Sequence, residues 1–130
     1  MLGKKSGTSL RVLGGLFDLG VTSSASDGQL LEHFATGSAA TAEAAFGALL
    51  ERHGPMVLRV CRAILRDEHS AKDAFQATFL VLIRKSRSLW VRESLGPWLH
   101  RVACRAAGRV KSDAVRRRRF ELRAAELAPT

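Results

Sequence analysis

Apolar side chains between Phe46 and Leu65 recur three and four residues apart, and this spacing constrains the fold more than any other feature of the chain. Phe46, Leu49, Leu50, Val57, Val60, Cys61, Ile64 and Leu65 fall on one side of a helix, with His53 among them. Gly54 and Pro55 interrupt the middle of the run. Proline should kink or break a helix. The apolar phase nevertheless continues across it, so one bent helix or two stacked halves are expected. Thr41 is the expected N-cap, with Glu43 in the first turn. His53 reads as a satisfied core or boundary histidine rather than a catalytic one.

Three further helical segments surround this one. The first begins near Ser26 or Asp27, either of which can cap it, and carries Leu30, Leu31 and Phe34 before Gly37. The third follows "RDEH", with Ser70 and Asp73 in an S-x-x-D capping pattern, and runs to about Lys85. Its Phe75, Thr78, Phe79 and Leu82 form a core face. The fourth opens on "LGPW", where Pro97 suits the first turn. Leu95, Leu99, Val102, Ala106 and Val110 form its apolar arc, and "RRRR" at 116–119 is its expected end. The chain has no Tyr, and Val, Ile and Thr never alternate with polar residues over a useful length. The expected fold is therefore all-α, a compact bundle of about four helices.

The length of 130 residues suits one domain. Residues 26–119 are its expected extent, with a flexible N-terminal arm at 1–25 and a C-terminal tail at 120–130. The arm has the outline of a signal peptide, Lys4 and Lys5 before "LRVLGGLFDLGV". Arg11 and Asp18 inside that run, with Gly14, Gly15 and Gly20, argue for an arm instead. No run approaches the roughly 20 apolar residues of a membrane span. A cytoplasmic protein with no membrane partner is expected. Cys61 and Cys104 lie far apart without ligand spacing to any histidine, which suggests two reduced thiols and no metal site.

Net charge is +9, and its distribution is uneven. Residues 84–119 hold twelve bases (Arg84, Lys85, Arg87, Arg92, Arg101, Arg105, Arg109, Lys111 and Arg116 to Arg119) against Glu93 and Asp113. Residues 27–83 are near balance, with seven acids and five bases. The basic half is therefore a candidate surface for a polyanion, nucleic acid before an anionic membrane. The stretch "SRSLWVRES", at 86–94, sets Trp90 between Arg87 and Arg92; arginines hold phosphates and an exposed aromatic can stack an unpaired base. Arg101, Arg105 and Arg109 continue the charge as a stripe along the fourth helix.

The third helix, "DAFQATFLVL" at 73–82, is apolar nearly all round. Asp73, Gln76, Leu80 and Ile83 form a second stripe beside its core face. Burying that stripe would leave Gln76 in need of partners, at about 1–3 kcal/mol if unpaired. Exposing it leaves Leu80 and Ile83 in a row. A mixed acid, amide and aliphatic strip of this kind is typical of a protein-binding surface.

Taken together, these segments resemble region 2 of bacterial RNA polymerase sigma factors of the extracytoplasmic-function type. The pattern D-x-x-x-A-x-D-A-x-Q-x-T-F is matched at Asp67, Ala71, Asp73, Ala74, Gln76, Thr78 and Phe79, and W-L-x-x-[IV]-A at Trp98, Leu99, Val102 and Ala103. The resemblance covers about 26–119. It implies that Asp73, Gln76 and Leu80, with Ile83 on the same stripe, contact the coiled coil of the β′ clamp of core polymerase. It implies that the loop at 86–94, with Arg87, Trp90 and Arg92, captures a base flipped from the single-stranded non-template strand of the promoter −10 element. Trp98 would help open the DNA, and Arg101, Arg105 and Arg109 would follow its phosphates. Many members have Asn where this chain has Arg105, so no base preference is assigned. The family's second domain, region 4, has no counterpart before Thr130, which leaves promoter selection weak.

No nucleophile–base pair, paired carboxylates or phosphate-binding glycine loop is present, so neither an enzyme nor a cofactor is expected. Two other readings fit the same residues. One is a truncated sigma that sequesters polymerase or an anti-sigma factor. The other is a basic helical nucleic-acid module unrelated to sigma, which would prefer intact duplex.

Overall fold

The computed structural model describes residues 24–91 and 93–129. The expected arm at 1–25 lies outside them except for its last two residues, as does Arg92. Among the described residues the secondary structure is four α-helices and no strand: α1 Asp27–Thr36, α2 Ala39–Ile64, α3 Glu68–Lys85 and α4 Gly96–Leu127. The all-α bundle expected from periodicity is what forms.

Helix α2 is the central element and packs against the other three. Its buried line is Ala45, Ala48, Leu49, His53, Gly54, Val57 and Cys61, a side wide enough to meet several partners. Leu30 and Leu31 come to it from α1, Phe79 and Leu82 from α3, and Leu99 and Ala103 from α4. A row of aromatic rings crosses three helices. Phe34 meets Phe46 at 5.3 Å, Phe46 meets Phe79 edge-on at 6.2 Å, and Phe75 lies 5.0 Å from Phe79. Thr78 is buried with its hydroxyl donating to the Ala74 carbonyl at 2.8 Å, so it enters the core without an orphaned polar atom.

Pro55 lies inside α2, and the helix runs through it. The ring is on the exposed side, as is Glu51 one turn back. The carbonyl of Glu51, which loses its intrahelical donor to the proline, therefore faces the solvent side.

Three helix boundaries differ from the sequence expectation. Helix α2 is capped by Ser38, whose hydroxyl accepts from the Thr41 N–H, so Thr41 lies inside the first turn. Helix α3 is capped by Asp67, whose carboxylate accepts both the N–H and the hydroxyl of Ser70 at 2.9 Å. Ser70 is thereby consumed as a donor, and Asp73 takes no part in the cap. Helix α4 passes through "RRRR" to Leu127. Its positions 111–127 are all exposed, so packing does not hold this half. Arg, Ala, Glu and Leu are strong helix formers, and propensity continues what periodicity had ended.

Asp27 takes none of the capping role that the sequence allowed it. Ser26 caps α1, in a reciprocal box with Gln29. Asp27 points inward instead and is only 2% exposed. Its Oδ1 accepts from Arg52 at 2.7 Å, and its Oδ2 lies 2.7 Å from His53 Nε2 and accepts the Leu95 N–H at 2.6 Å. Burial alone would push this carboxyl up; the Leu95 N–H, Arg52 and His53 outweigh it and hold the group below the usual carboxylate range. The start of α1, the middle of α2 and the entry to α4 meet at this one side chain.

Candidate functional site

Three surfaces carry the residues singled out by sequence. The first is the second stripe of α3. Because Ala71, Ala74, Thr78, Phe79 and Leu82 supply the buried side, the helix turns Asp73, Gln76, Leu80 and Ile83 outward, and all four are exposed. Leu80 is 50% and Ile83 40% exposed, so two large aliphatic side chains stand in water beside an acid and an amide. The His69 Nε2 lies 3.7 Å from the Asp73 carboxylate, on the same helix. The fold uses none of the four for packing.

The second surface is a groove between α3 and α4 of about 480 Å³, whose floor includes Ala77, Val81 and Ala106. Arg84, Arg105 and Arg109 stand at its edges, and Leu80 lines it as well. Leu80 of the α3 stripe and two arginines of the α4 stripe therefore share one groove, which sequence spacing had kept apart. Arg101 is exposed one turn earlier on α4. The apolar arc of α4 is rotated slightly from its expected place. Leu99, Val102, Ala103 and Ala107 are buried, while Ala106 and Val110 are only half-buried at the groove.

The third surface is a cavity of about 890 Å³ between α1 and the loop that follows α3. Gln29, Glu32 and Thr36 line it from the helix, and Arg87, Leu89 and Trp90 from the loop. Trp90 is 77% exposed and does not fold back into the core. Leu89 and Val91 on either side of it do pack there, so the loop is anchored while its aromatic is presented. Arg87 is exposed, and Trp98 is half-buried against the core in the first turn of α4.

Sequence reasoning missed the contribution of α1. Nothing in "SDGQLLEHFATG" announces that its polar side closes a cavity against residues 60 positions later, since the contact is purely tertiary. The signal that was available is Asp27, an acid followed by glycine at a helix start that already had a serine to cap it.

Elsewhere the chemistry is quiet. Cys61 is buried and Cys104 half-buried; both are free, and Cys104 lies 3.8 Å from His100 Nδ1. Among the described residues no group of His, Cys, Asp and Glu could hold a metal ion, and no helix is long and apolar enough to cross a membrane. The contact between Arg62 and Glu68, at 2.6 Å, ties the end of α2 to the start of α3 and is exposed on both sides.

Searches of curated proteins and of solved structures returned no match. The family model described as sigma-70 region 2 matches residues 49–120, which takes in most of α2, all of α3, the loop and most of α4. That span contains the outward stripe, the groove and the loop side of the cavity. An all-helical bundle with an exposed acid–amide strip, a basic groove beside it and a presented tryptophan is the setting in which that match falls, and the chain belongs to the sigma-70 region 2 family, the domain of sigma factors in transcription initiation.

Proposed function

We propose that this domain binds core RNA polymerase through Asp73, Gln76, Leu80 and Ile83, and that it holds the unwound non-template strand of a promoter −10 element through the loop and the arginines of α4. The polymerase partner is the coiled coil of the β′ clamp, as in the extracytoplasmic-function sigma factors that the chain resembles. The observation that carries the reading is the exposed stripe of α3. A helix this apolar would normally be turned so that its few polar residues meet water and its aliphatics do not. Here Leu80 and Ile83 share the open face with Asp73 and Gln76. Such a strip gains by being covered by another protein, with the aliphatics desolvated and the polar pair fixing register.

The DNA half of the reading rests on the cavity. Extruding a base costs a few kcal/mol, which stacking and edge contacts in a pocket offset. Trp90 offers an aromatic face at the cavity, and Arg87 a charge for the phosphate. Trp98, at the head of α4, stands where strand separation would begin, and Arg101, Arg105 and Arg109 neutralise the strand that follows. The domain is a binding module of the cytoplasmic transcription machinery rather than an enzyme, and its exposed strip also suits an anti-sigma factor competing for the same face.

Co-purification with core polymerase tests the first half, with an Asp73→Ala/Gln76→Ala double variant as control. The expected result is capture of the wild type and loss of the variant at unchanged helicity. Equal capture of both removes the stripe from the interface. Run-off transcription with the same core then separates an initiating domain from one that only occupies polymerase.

A further inference from the structure

Two contacts join the first turn of α1 to the loop, and neither belongs to the hydrophobic core. Asp27 Oδ2 accepts the Leu95 N–H at 2.6 Å, at the point where the loop enters α4. The carboxylate is buried and is itself held by Arg52 and His53 of α2. One residue on, Gly28 lies so close to the loop that a Cβ added there would sit 2.6 Å from the carbonyl oxygen of Val91. That neighbour is backbone, so it cannot swing aside as a side chain would. A larger residue at position 28 must displace the loop itself.

Val91 follows Trp90 directly and Leu95 stands five residues on, at the entry to α4; the cavity is bounded by Gly28 and Gln29 on one side and Trp90 and Val91 on the other. The width of that cavity is therefore set where α1 touches the loop. We propose that Asp27 and Gly28 are positioning residues for single-stranded DNA. They hold the loop at the distance from α1 at which the cavity admits an unstacked base, Asp27 from outside the cavity and Gly28 through the backbone approach at its wall. The inference rests on the reading that this loop takes the DNA. Leu89, Val91 and Leu95 already tie the loop to the core; its distance from α1 would otherwise be fixed only at the moment of binding, at a cost in affinity. Fixing its far end on a buried, triply bonded carboxylate removes that cost beforehand. The glycine permits the close backbone approach that makes the anchor short.

The test compares Gly28→Ala with Gly47→Ala in the full chain. Gly47 lies in α2 with open space where its Cβ would go, so it reports the effect of a helical Gly→Ala change alone. Asp27→Asn is the second positional variant, used if Gly28→Ala does not fold. Three quantities are read: affinity for a labelled single-stranded oligonucleotide of −10-like sequence, tryptic cleavage after Arg87, and capture by core polymerase. Gly28→Ala is expected to lose oligonucleotide affinity by about tenfold or more, to be cut faster after Arg87 and to keep its capture by polymerase, while Gly47→Ala matches the wild type. Wild-type binding with undiminished affinity in the positional variants overturns the proposal alone. So does an equal loss of polymerase capture, which marks a general structural defect. A wild-type chain that does not bind the oligonucleotide overturns the reading of the loop and the proposal with it.

Discussion

Asp27 and Asp73 both stand near the beginning of a helix, and both have spacing that suits a cap, yet they end in opposite environments. Asp27 is buried among Arg52, His53 and the Leu95 N–H and connects three elements. Asp73 is exposed on α3, with His69 3.7 Å from its carboxylate. In both places a neighbouring residue, Ser26 or Asp67, performs the capping. The difference shows how one residue type divides between building the fold and being left over by it. An acid that the fold absorbs is matched hydrogen bond for hydrogen bond. An acid that the fold ignores, set in a row with exposed leucine and isoleucine, is left available for the partner contact proposed for it.

Breaking the absorbed side should have the largest effect. Asp27→Ala leaves His53 and the Leu95 N–H buried without their acceptor and should lower unfolding free energy by about 3 kcal/mol, measured by urea denaturation. A loss under about 0.5 kcal/mol, the range of ordinary surface substitutions, would place Asp27 with Asp73 instead.

Acid should expose the same asymmetry. The folded pKa of Asp27 lies below its unfolded value of 3.8, so its contribution is complete above that value and is lost as pH falls through the folded pKa. Asp67, held low by the N–H and hydroxyl of Ser70, titrates in the same direction and stays in both proteins when wild type is compared with Asp27→Asn. Denaturation between about pH 5 and pH 2.5 should therefore show a stability gap between the two that narrows toward acid. A constant gap would mean that the carboxylate charge is not what matters.

Changes on the presented side should leave folding alone and act on binding. Trp90→Ala should weaken single-stranded DNA by about 1–3 kcal/mol with an unchanged melting temperature. Replacing Arg101, Arg105 and Arg109 together should weaken all sequences alike and flatten the salt dependence by roughly two units of log–log slope, read from titrations at several salt concentrations. The smallest effect on the fold is expected from Asp73→Ala and Gln76→Ala, within about 0.5 kcal/mol of wild type, although each should impair polymerase capture.

Much of this was legible in the sequence, and for a common reason. The helices of the bundle are written in apolar spacing, which is local, so α2 could be followed through Pro55 and the outward stripe of α3 could be drawn from Asp73 to Ile83 before any packing was known. The helix ends were less legible because capping is a competition between adjacent side chains. Ser38 prevailed over Thr41, and Asp67 claimed Ser70 before Asp73 could. The length of α4 was misread where the apolar phase stopped, since a helix of arginine, alanine and glutamate needs no buried side to persist.

By itself, then, the amino-acid order determined the helical class, the core side of each element, the basic half and the family likeness, because each of these depends on residues within a few turns of one another. Only the tertiary structure decided that α1 closes a cavity over the loop, that Leu80 and the α4 arginines share a groove, and that Asp27 and Gly28 set the loop's place. The contacts of α1 bring together residues more than 60 positions apart, and the groove joins Leu80 to arginines 25 and 29 positions further on. Their existence depends on how whole helices pack, and no local pattern encodes that.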